Sequence, residues 1–318
     1  MPSFSFNVPE DFCGSLRLDK FIALSNPMMN RSKLKSGAVN ISVNGKPQKI
    51  SFKVKAGDKI EVLWEEKLPS FIEPEDIPLD IIYEDDDVCV INKPQGMVTH
   101  PACGNWNGTL VNALLFHFKK QAIPFSEKTL PEEIRPGIVH RLDKDTSGII
   151  ITAKNRDEKE FLSAQFLNHK HIFKEYICIC FGHPHEKSGV IKTKIVRDLK
   201  DRRRFKAVPE SSEEGKIAVS VYKCVACYGE YSLVKVRILT GRTHQIRVHM
   251  KYLNCPVLGD PLYFKSDKKF PSATLMLHSR KLSIFVREGQ RMTFKAPLPE
   301  RFKKIMKILH RDFKKVIP

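Results

Sequence analysis

The residues best suited to chemistry lie in one short segment, His140-Arg-Leu-Asp-Lys-Asp-Thr-Ser-Gly148, directly before the apolar run Ile149–Ile151. The segment sets two carboxylates, Asp143 and Asp145, among cationic side chains. Strong charge beside a buried-strand pattern indicates side chains held at the end of a rigid element, where a reactive group can be aimed. A solvated surface turn gives a similar pattern, so the residue types alone leave both interpretations open.

The two carboxylates raise the possibility of acid–base chemistry of the kind that glycosidases perform. Asp143 and Asp145 are two residues apart, and in an extended segment both side chains can face the same way. An alternative role for Asp145 is to order the loop through Thr146 and backbone donors. Ser147 lies in the same turn and carries no sign of being a nucleophile.

A second polar segment, Thr240-Gly-Arg-Thr-His-Gln-Ile-Arg-Val-His-Met250, is typical of a turn that leads into a helix. It carries Arg242, His244, Arg247 and His249. The two histidines are five residues apart, which places them on different helix faces, and no thiol or carboxylate lies nearby in the sequence. Structural histidines, or histidines that contact a substrate, are therefore expected rather than metal ligands.

Two other patterns invite a metal interpretation and support it poorly. The acidic turn Glu84–Asp87 has side chains that point in different directions and are expected to be hydrated. The pair Cys224 and Cys227 has no second matching pair with zinc-site spacing. The sequence therefore predicts no metal site at either place.

The elements that must position these segments fall into two predicted domains. Residues 14–66 predict a small α/β module, with a helix over 16–24, a short basic helix over 30–36 and a hairpin at Asn44-Gly45. A proline-rich stretch over 67–78 predicts a linker, and residues 79–318 predict the catalytic domain. Within that domain, strands are expected over 79–83, 88–91 and 176–181, and a helix is expected over 108–117.

The overall charge indicates a polyanionic partner. The chain has 318 residues with 54 Lys and Arg against 36 Asp and Glu, a formal net charge of +18, and a pI of about 9.5. Nucleic acid is the first candidate, because a basic protein gains affinity for it by releasing counterions. A membrane surface is a poor candidate, since no long basic amphipathic helix with an aromatic face is found.

The remaining composition is that of an ordinary globular protein. The hydrophobic fraction is 42% and the mean hydropathy is −0.30. There is no apolar run of about 18 residues and no secretory pattern at the start of the sequence. The eight cysteines are scattered, several of them inside strand-like runs, so a cytoplasmic location is expected.

The amino-acid sequences of these segments closely resemble motifs of the RluA/RluD-type pseudouridine synthases. Arg135-Pro-Gly-Ile-Val-His-Arg-Leu-Asp-Lys-Asp-Thr-Ser-Gly148 is similar to that family's catalytic signature, and the segment 240–250 is similar to its later motif. The stretches 92–97, 259–263 and 277–282 extend the resemblance over nearly the whole chain. It implies an α+β fold with a curved, mostly antiparallel sheet and an RNA cleft across it.

The resemblance also assigns roles to residues. It implies that Asp143 is the essential catalytic residue, that Arg247 pairs with it, and that Tyr176 packs against the target base, with an assisting role in removing the proton from base carbon 5 also considered. The reaction breaks the bond between ribose carbon 1′ and base nitrogen 1, rotates the base, and joins carbon 1′ to base carbon 5. No redox change or group transfer occurs, so no cofactor and no metal are expected.

The module 14–66 resembles the RNA-binding domain named after small ribosomal protein four, in its Arg-Leu-Asp-Lys and Val-Asn-Gly-Lys patterns. Its cations, and those of the catalytic domain, are expected to contact RNA, largely its phosphates. The predicted RNA-binding residues are Arg17, Lys20, Arg31, Lys33, Lys35, Arg141, Arg202, Arg203, Arg204, Arg242 and His244. A solvated cationic face is the alternative for the module.

The expected partner is large-subunit (23S) ribosomal RNA or its assembly intermediates, with transfer RNA as the alternative substrate. No membrane and no obligate protein partner are implied. Two other functions stay open: a non-catalytic RNA chaperone or ribosome-assembly factor with the same fold, and a metal-dependent nuclease or glycosylase. The segment 197–206 is unusually cationic and is expected to bind phosphate, and the segment 301–315 is predicted to be a basic helix whose use the sequence does not indicate.

Overall fold

The computed structural model describes residues 3–26, 34, 39–64, 71–101, 105–120, 123–124, 137–169, 171–286 and 289–314. The chain divides into two compact units, Met1–Pro69 and Ser70–Pro318. Each unit has its own buried apolar core, as expected for separate domains. Within the described residues, no helix is long and apolar enough to cross a membrane.

The first unit is a small antiparallel sheet with one described helix, α1 (Leu18–Ser25). The strand order is β1-β4-β2-β3, and the strands are β1 (Ser3–Asn7), β2 (Val39–Val43), β3 (Lys46–Pro47) and β4 (Lys59–Trp64). The predicted hairpin is present: Asn44 and Gly45 join β2 to β3 with φ of 51° and 74°. Positive φ at both positions is what a tight type I′ turn requires, and Asn-Gly adopts it at little cost.

The compact unit is longer than the predicted module 14–66, because β1 precedes residue 14 and pairs along its whole length with β4. The predicted basic helix over 30–36, with Arg31, Lys33 and Lys35, lies outside the described residues apart from the buried Leu34. Arg17 and Lys20 are exposed at the start of α1. Arg17 Nε also lies 3.2 Å from the buried carboxylate of Asp19, so part of its charge is already paired.

The second unit is built on a ten-stranded sheet with the order β12-β11-β13-β14-β10-β15-β9-β7-β6, and β16 pairs with β15. Its strands are β6 (Ile81–Glu84), β7 (Val88–Lys93), β9 (Ser147–Ala153), β10 (Phe173–Phe181), β11 (Ser188–Arg197), β12 (Phe205–Val208), β13 (Lys216–Tyr228), β14 (Tyr231–Ile238), β15 (Leu277–Phe285) and β16 (Arg291–Lys295). The pairings are antiparallel except for a short parallel contact between β9 and β15. This confirms the predicted α+β fold with a mostly antiparallel sheet.

The stretch 67–78, expected to be a linker, is partly structured. Two residues of it form β5 (Phe71–Ile72), which pairs with β8 (Ile123–Pro124). Ile72 is 1% exposed and packs in the main core. The prolines of this stretch suggest a spacer, but an apolar pair between them is enough to form a short strand.

Four described helices pack on the large sheet: α2 (Leu110–His117), α3 (Arg156–Asn168), α4 (Gln245–Tyr252) and α5 (Glu300–Lys314). The cap of α2 is reciprocal: Thr109 accepts the Asn112 backbone N–H, and the Asn112 side chain accepts from Thr109. The main core joins buried side chains of β7, β10 and β14 to those of α2, α4 and α5. β9 is buried at every position, so the loop before it is attached to a strand in the interior of the unit.

Candidate active site

Asp143 lies in the loop that leads into β9. The Thr146 N–H donates to the Asp143 carbonyl at 3.1 Å, so the chain turns directly before the strand begins. The turn then runs close against β15: a Cβ added to Gly148, at φ +112°, would lie 2.2 Å from the Ser279 carbonyl oxygen. Only glycine fits this approach, and it fixes the end of the Asp143 loop against the neighbouring strand.

Side chains of the segment 93–99 hold the backbone of the Asp143 loop. The bonds run from Lys93 Nζ to the Lys144 carbonyl at 3.2 Å, from Gln95 Nε2 to the Asp145 carbonyl at 3.0 Å, and from Thr99 Oγ1 to the Leu142 carbonyl at 3.0 Å. Lys93 is fully buried. Burial lowers its pKa to about 7, while the carboxylates of Asp143 and Asp145 act in the opposite direction. The backbone carbonyls on both sides of Asp143 are therefore held in place.

Arg247, on α4, faces the Asp143 carboxylate. Its Nη1 lies 3.5 Å from Asp143 Oδ2, and its Nε and Nη2 donate to the two oxygens of Asp260 at 2.7 and 2.8 Å. Burial works against the charged guanidinium, but the bond to Asp260 and the charges of Asp260 and Asp143 raise the pKa of Arg247 overall. Asp260 thus holds the guanidinium in place through Nε and Nη2, and the remaining nitrogen, Nη1, faces Asp143.

Sequence reasoning did not assign a role to Asp260, which is the nearest partner of Arg247. The Asp260 side chain is fully buried, and Oδ1 also accepts the backbone N–H groups of Leu262 and Tyr263 at 2.9 and 3.1 Å. These backbone bonds hold the Asp260 carboxylate in the orientation in which it binds Arg247. The available signal was an aspartate in the apolar, glycine-flanked stretch 257–263, since a buried carboxylate needs a cationic partner.

Tyr176, on β10, forms part of the same cavity. It is 7% exposed and follows a register shift between Glu175 and Tyr176 in the pairing with β15. Burial raises the pKa of Tyr176 to about 12; a hydrogen bond with Ser279 opposes the shift and the charge of Asp143 adds to it. At neutral pH the phenol is therefore protonated, and it offers a ring face and a hydroxyl rather than a base.

His244 lies beside the Asp143 carboxylate, at the start of α4 in the left-handed region with φ of 56°. Its Nε2 is 3.9 Å from Asp143 Oδ2, and its Nδ1 is 2.8 Å from the Tyr263 hydroxyl. Burial lowers the pKa of His244, although the charge of Asp143 partly offsets that shift. The imidazole is therefore predominantly neutral at pH 7.

Six of the predicted residues share one cavity of about 100 Å³, which is lined by Arg141, Asp143, Tyr176, Arg242, His244 and Arg247 among others. Arg141 is exposed, whereas Arg242 is half-buried and donates from Nε to the Ile217 carbonyl at 2.9 Å. A carboxylate, a buried guanidinium, a neutral imidazole and an aromatic face thus meet in a polar cleft. This set is suited to carboxylate-based nucleophilic or acid–base chemistry on a flat ring.

The other predicted RNA-binding residues lie apart from this cavity or in the other unit. Arg202, Arg203 and Arg204 are exposed at the turn of the β11–β12 hairpin. Arg203 donates from Nε and Nη2 to Asp201 at 3.0 and 2.9 Å, so part of the expected positive charge is neutralised. Arg17 and Lys20 belong to the first unit.

His249 takes no part in the cavity. It is fully buried, and its ring nitrogens bond to the hydroxyls of Thr193 and Ser220 at 3.1 and 2.9 Å. Burial lowers its pKa to about 4. The geometry is that of a structural histidine, in keeping with the expectation from sequence.

One cluster of potential metal-binding atoms is found among the described residues: Glu84, Cys89 and His117 have ligand atoms within 4.8 Å of one another. Glu84 already bonds to His117 at 2.8 Å and to the ammonium of Lys154 at 2.9 Å. Burial raises the pKa of the Cys89 thiol to about 12, which opposes the thiolate that a metal needs. An ion-pair network fits these residues better than a metal does.

Comparison with known proteins decides the family. The model of the RNA pseudouridylate synthase family matches residues 87–252, which include the Asp143 loop, Tyr176 and Arg247. The chain belongs to the RNA pseudouridylate synthase family. It is therefore an isomerase that converts uridine to pseudouridine in RNA, and the resemblance to the RluA/RluD-type pseudouridine synthases is confirmed.

Relatives of this pseudouridine synthase match along most of their length. Ribosomal large subunit pseudouridine synthase D of Borreliella burgdorferi is 43% identical over 303 residues, covering 93% of this chain and 90% of that protein. The protein of the same name from Zymomonas mobilis is 37% identical, with 97% and 98% covered. The structure of human RNA Pseudouridylate Synthase Domain Containing 4 aligns with a TM-score of 0.55 at 24% identity over 72% of this chain and 92% of that one, which supports the fold.

Proposed function

We propose that this pseudouridine synthase modifies uridines of large-subunit ribosomal RNA, with Asp143 as its catalytic carboxylate. Relatives named for the large ribosomal subunit, from Borreliella burgdorferi, Zymomonas mobilis and Neisseria meningitidis, cover most of the chain and support the substrate. The net charge of +18 is suited to a large polyanion. Transfer RNA is the alternative substrate.

The observation that carries the catalytic assignment is the placement of Asp143. Its carboxylate lies in the cleft with Arg247 Nη1 at 3.5 Å, and Asp260 holds that arginine from behind. An ionised carboxylate fixed in this way can act as nucleophile or base at the ribose or at the uracil ring while the bond from carbon 1′ to nitrogen 1 breaks. The adjoining guanidinium brings a positive charge close to the carboxylate of Asp143.

Tyr176 is proposed to pack its ring against the flipped uracil. A base that leaves its stack needs a flat surface in the enzyme to replace the stacking it has lost. Because the pKa of Tyr176 is raised to about 12, the phenol is a poor acceptor for the proton of carbon 5 at neutral pH. The proposal therefore gives Tyr176 a stacking role and not the role of the base.

The arginines around the cleft and the neutral imidazole of His244 are proposed to bind the RNA backbone. Arg141, Arg242 and His244 line the cavity itself, and the exposed turn with Arg202, Arg203 and Arg204 extends the positive surface. In the first unit, Arg17 and Lys20 are proposed to track phosphates, together with Arg31, Lys33 and Lys35, which lie outside the described residues. Contacts of this kind supply affinity and orientation more than sequence reading.

The proposal is tested with unmodified large-subunit ribosomal RNA and unmodified transfer RNA, each labelled with tritium at uracil carbon 5. Tritium release from ribosomal RNA alone is the expected result. Release from transfer RNA alone would refute the substrate assignment, and release from neither, with RNA binding intact, would favour a non-catalytic assembly factor. Loss of release on adding a chelator would point to metal-dependent chemistry instead.

A further inference from the structure

A second groove lies in the catalytic unit, outside the cavity of Asp143. It has a volume of about 650 Å³, within the range of about 300–1,000 Å³ that ligand sites occupy. We call it the flanking groove and define it by three aromatic residues, Phe205, Tyr252 and Phe264, and three lysines, Lys206, Lys251 and Lys265. Its floor is apolar and is formed by Val248, Pro256 and Leu262.

The aromatic side chains of the flanking groove are open to solvent to different degrees. Tyr252 is 54% exposed, although it is large and apolar over most of its surface. Phe205 and Phe264 are half-buried, and Phe264 packs on Phe181 with ring centroids 5.3 Å apart. An exposed aromatic ring beside a groove is a stacking platform, because every nucleobase has a face that it can pack against.

The charges of the flanking groove are those that a phosphodiester chain needs. Lys206, Lys251 and Lys265 are exposed, and in the described part of the chain no carboxylate lies within ion-pair distance of them. Arg204 adds a fourth cation, although it is 3.5 Å from Asp201. Among the described lining residues the carboxylate is that of Asp198, and it accepts the Lys200 N–H at 2.8 Å.

The flanking groove adjoins the active site through one aromatic ring. Tyr263 lines the groove, its hydroxyl is 2.8 Å from His244 Nδ1, and its ring lies 5.1 Å from the guanidinium carbon of Arg247. His244 in turn is 3.9 Å from Asp143. Tyr263, His244 and Arg247 therefore lie between the groove and the carboxylate of Asp143.

The helix α4 connects the two sites as well. Arg247 and Lys251 are four residues apart on α4, and Tyr252 ends it. Arg247 points to Asp143, whereas Lys251 and Tyr252 border the groove. A chain that leaves the active site along this helix passes the cationic side chain of Lys251 and the aromatic ring of Tyr252, the two kinds of group that bind single-stranded nucleic acids.

We propose that the flanking groove binds unpaired nucleotides adjacent to the target uridine, stacking a base on Tyr252 and holding phosphates with Lys206, Lys251 and Lys265. The groove is thus a substrate-binding site that selects targets in single-stranded or looped RNA. This inference rests on family membership and is independent of the choice between ribosomal and transfer RNA.

The test is binding of a fluorescein-labelled short oligouridylate and of a short RNA duplex, measured by anisotropy over a range of salt concentrations. Tyr252→Ala should weaken oligouridylate binding about tenfold, the loss of one stacked base, and leave duplex binding unchanged. The double variant Lys251→Gln/Lys265→Gln should lower the slope of log affinity against log salt by about 1.4, since each phosphate contact to a single strand contributes about 0.7.

Matched controls lie elsewhere in the same unit. Phe116, on α2, is 48% exposed, much as Tyr252 is, and Lys304 and Lys307 are exposed on α5. Phe116→Ala and Lys304→Gln/Lys307→Gln should leave oligouridylate affinity and its salt slope unchanged. Equal losses in the control and groove variants, or an equal loss of duplex binding, would overturn the proposal.

Photo-crosslinking of an oligouridylate that contains 4-thiouridine locates the strand directly. Crosslinks to the peptide with Tyr252 or to the peptide with Phe264 are expected, and crosslinks confined to the Asp143 loop would overturn the proposal. Both measurements are made without turnover. Failure of the proposed activity on ribosomal RNA would therefore appear in the tritium-release assay and not in oligouridylate binding or crosslinking. Failure of the groove proposal would appear in binding and crosslinking and not in tritium release.

Discussion

Replacing Asp260 by asparagine should slow catalysis although Asp260 lies behind Arg247 and does not line the cavity of Asp143. Asp260 makes two charge-assisted bonds to Arg247, at 2.7 and 2.8 Å, and both side chains are at most 4% exposed. The asparagine side chain keeps one acceptor oxygen and sets an NH₂ donor against the guanidinium in place of the other. One bond to a charged group is therefore lost, and such bonds contribute about 1.5–3 kcal/mol.

We expect about 2 kcal/mol of this loss to appear in the reaction, because Arg247 is no longer fixed where Asp143 needs it. This corresponds to a fall in kcat of about 30-fold. The free energy of unfolding should fall by about 3 kcal/mol, since a buried pair is broken and the arginine is left partly uncompensated. The rate is measured as tritium release under saturating RNA, and stability by urea unfolding.

A second buried aspartate separates the effect on catalysis from the effect on stability. Asp267 is 7% exposed and accepts backbone N–H groups two and three residues ahead, as Asp260 does, but its further partner is the Tyr231 hydroxyl. Asp267→Asn should destabilise the fold and leave kcat within about twofold, a change no larger than about 0.4 kcal/mol. If Asp260→Asn retains full kcat, or if Asp267→Asn slows the reaction as much, the positioning role of Asp260 is refuted.

Three further outcomes are expected. Removing residues 1–69, the first compact unit, should weaken RNA affinity and flatten its salt dependence more than it slows single-turnover tritium release; an unchanged affinity would exclude the unit from RNA binding. Tyr176→Phe should keep most of the rate because the ring remains, whereas Tyr176→Ala should lose about tenfold or more in kcat/KM, the value of one stacked base; equal losses in both variants would instead implicate the hydroxyl. His249 and His278 are fully buried, and burial lowers the pKa of each to about 4 from an ordinary 6.5. As pH falls from 6.5 to 4, the unfolded chain therefore binds protons that the folded chain does not. The free energy of unfolding should drop by up to about 5 kcal/mol by pH 4.5. Urea unfolding across this pH range checks the drop, and in the His249→Gln variant the free energy of unfolding should fall less steeply with pH.

The sequence predicted those features that depend on neighbouring residues. The Asn44-Gly45 hairpin follows from local backbone preference, and β7 and β9 follow from unbroken apolar runs that only a buried strand accommodates. The Asp143 loop was found because charge and a strand pattern meet within a few residues. In each case the decisive interactions lie within about one element of the residue concerned.

Features that depend on distant residues were not found from the sequence. Asp260 lies 13 residues after Arg247, yet the bond between them depends on how α4 and the following turn pack. Lys93 reaches the carbonyl of Lys144, 51 residues later, and no local pattern predicts that a lysine is buried there. β1 joins the first sheet beside β4, more than fifty positions further along the chain, and alternation in Ser3–Asn7 alone does not reveal its partner.

The composition of the basic segment 197–206 also gave an incomplete picture. Arg202, Arg203 and Arg204 were expected to bind RNA phosphates, whereas the structure places them in a β-hairpin in which Asp201 binds Arg203 and lies 3.5 Å from Arg204. The same hairpin brings Phe205 and Lys206 to the flanking groove. Net charge counted along a sequence does not show which cations remain available to RNA.

The measurement that tests the central claim most directly compares Asp143→Asn with Asp145→Asn. Both residues lie in the same loop and both are half-buried, so the two variants alter the fold to a similar degree. With tritium-labelled large-subunit ribosomal RNA, Asp143→Asn should bind RNA and release no tritium, whereas Asp145→Asn should release it at close to the wild-type rate. Turnover by folded Asp143→Asn would contradict the assignment of Asp143 as the catalytic carboxylate.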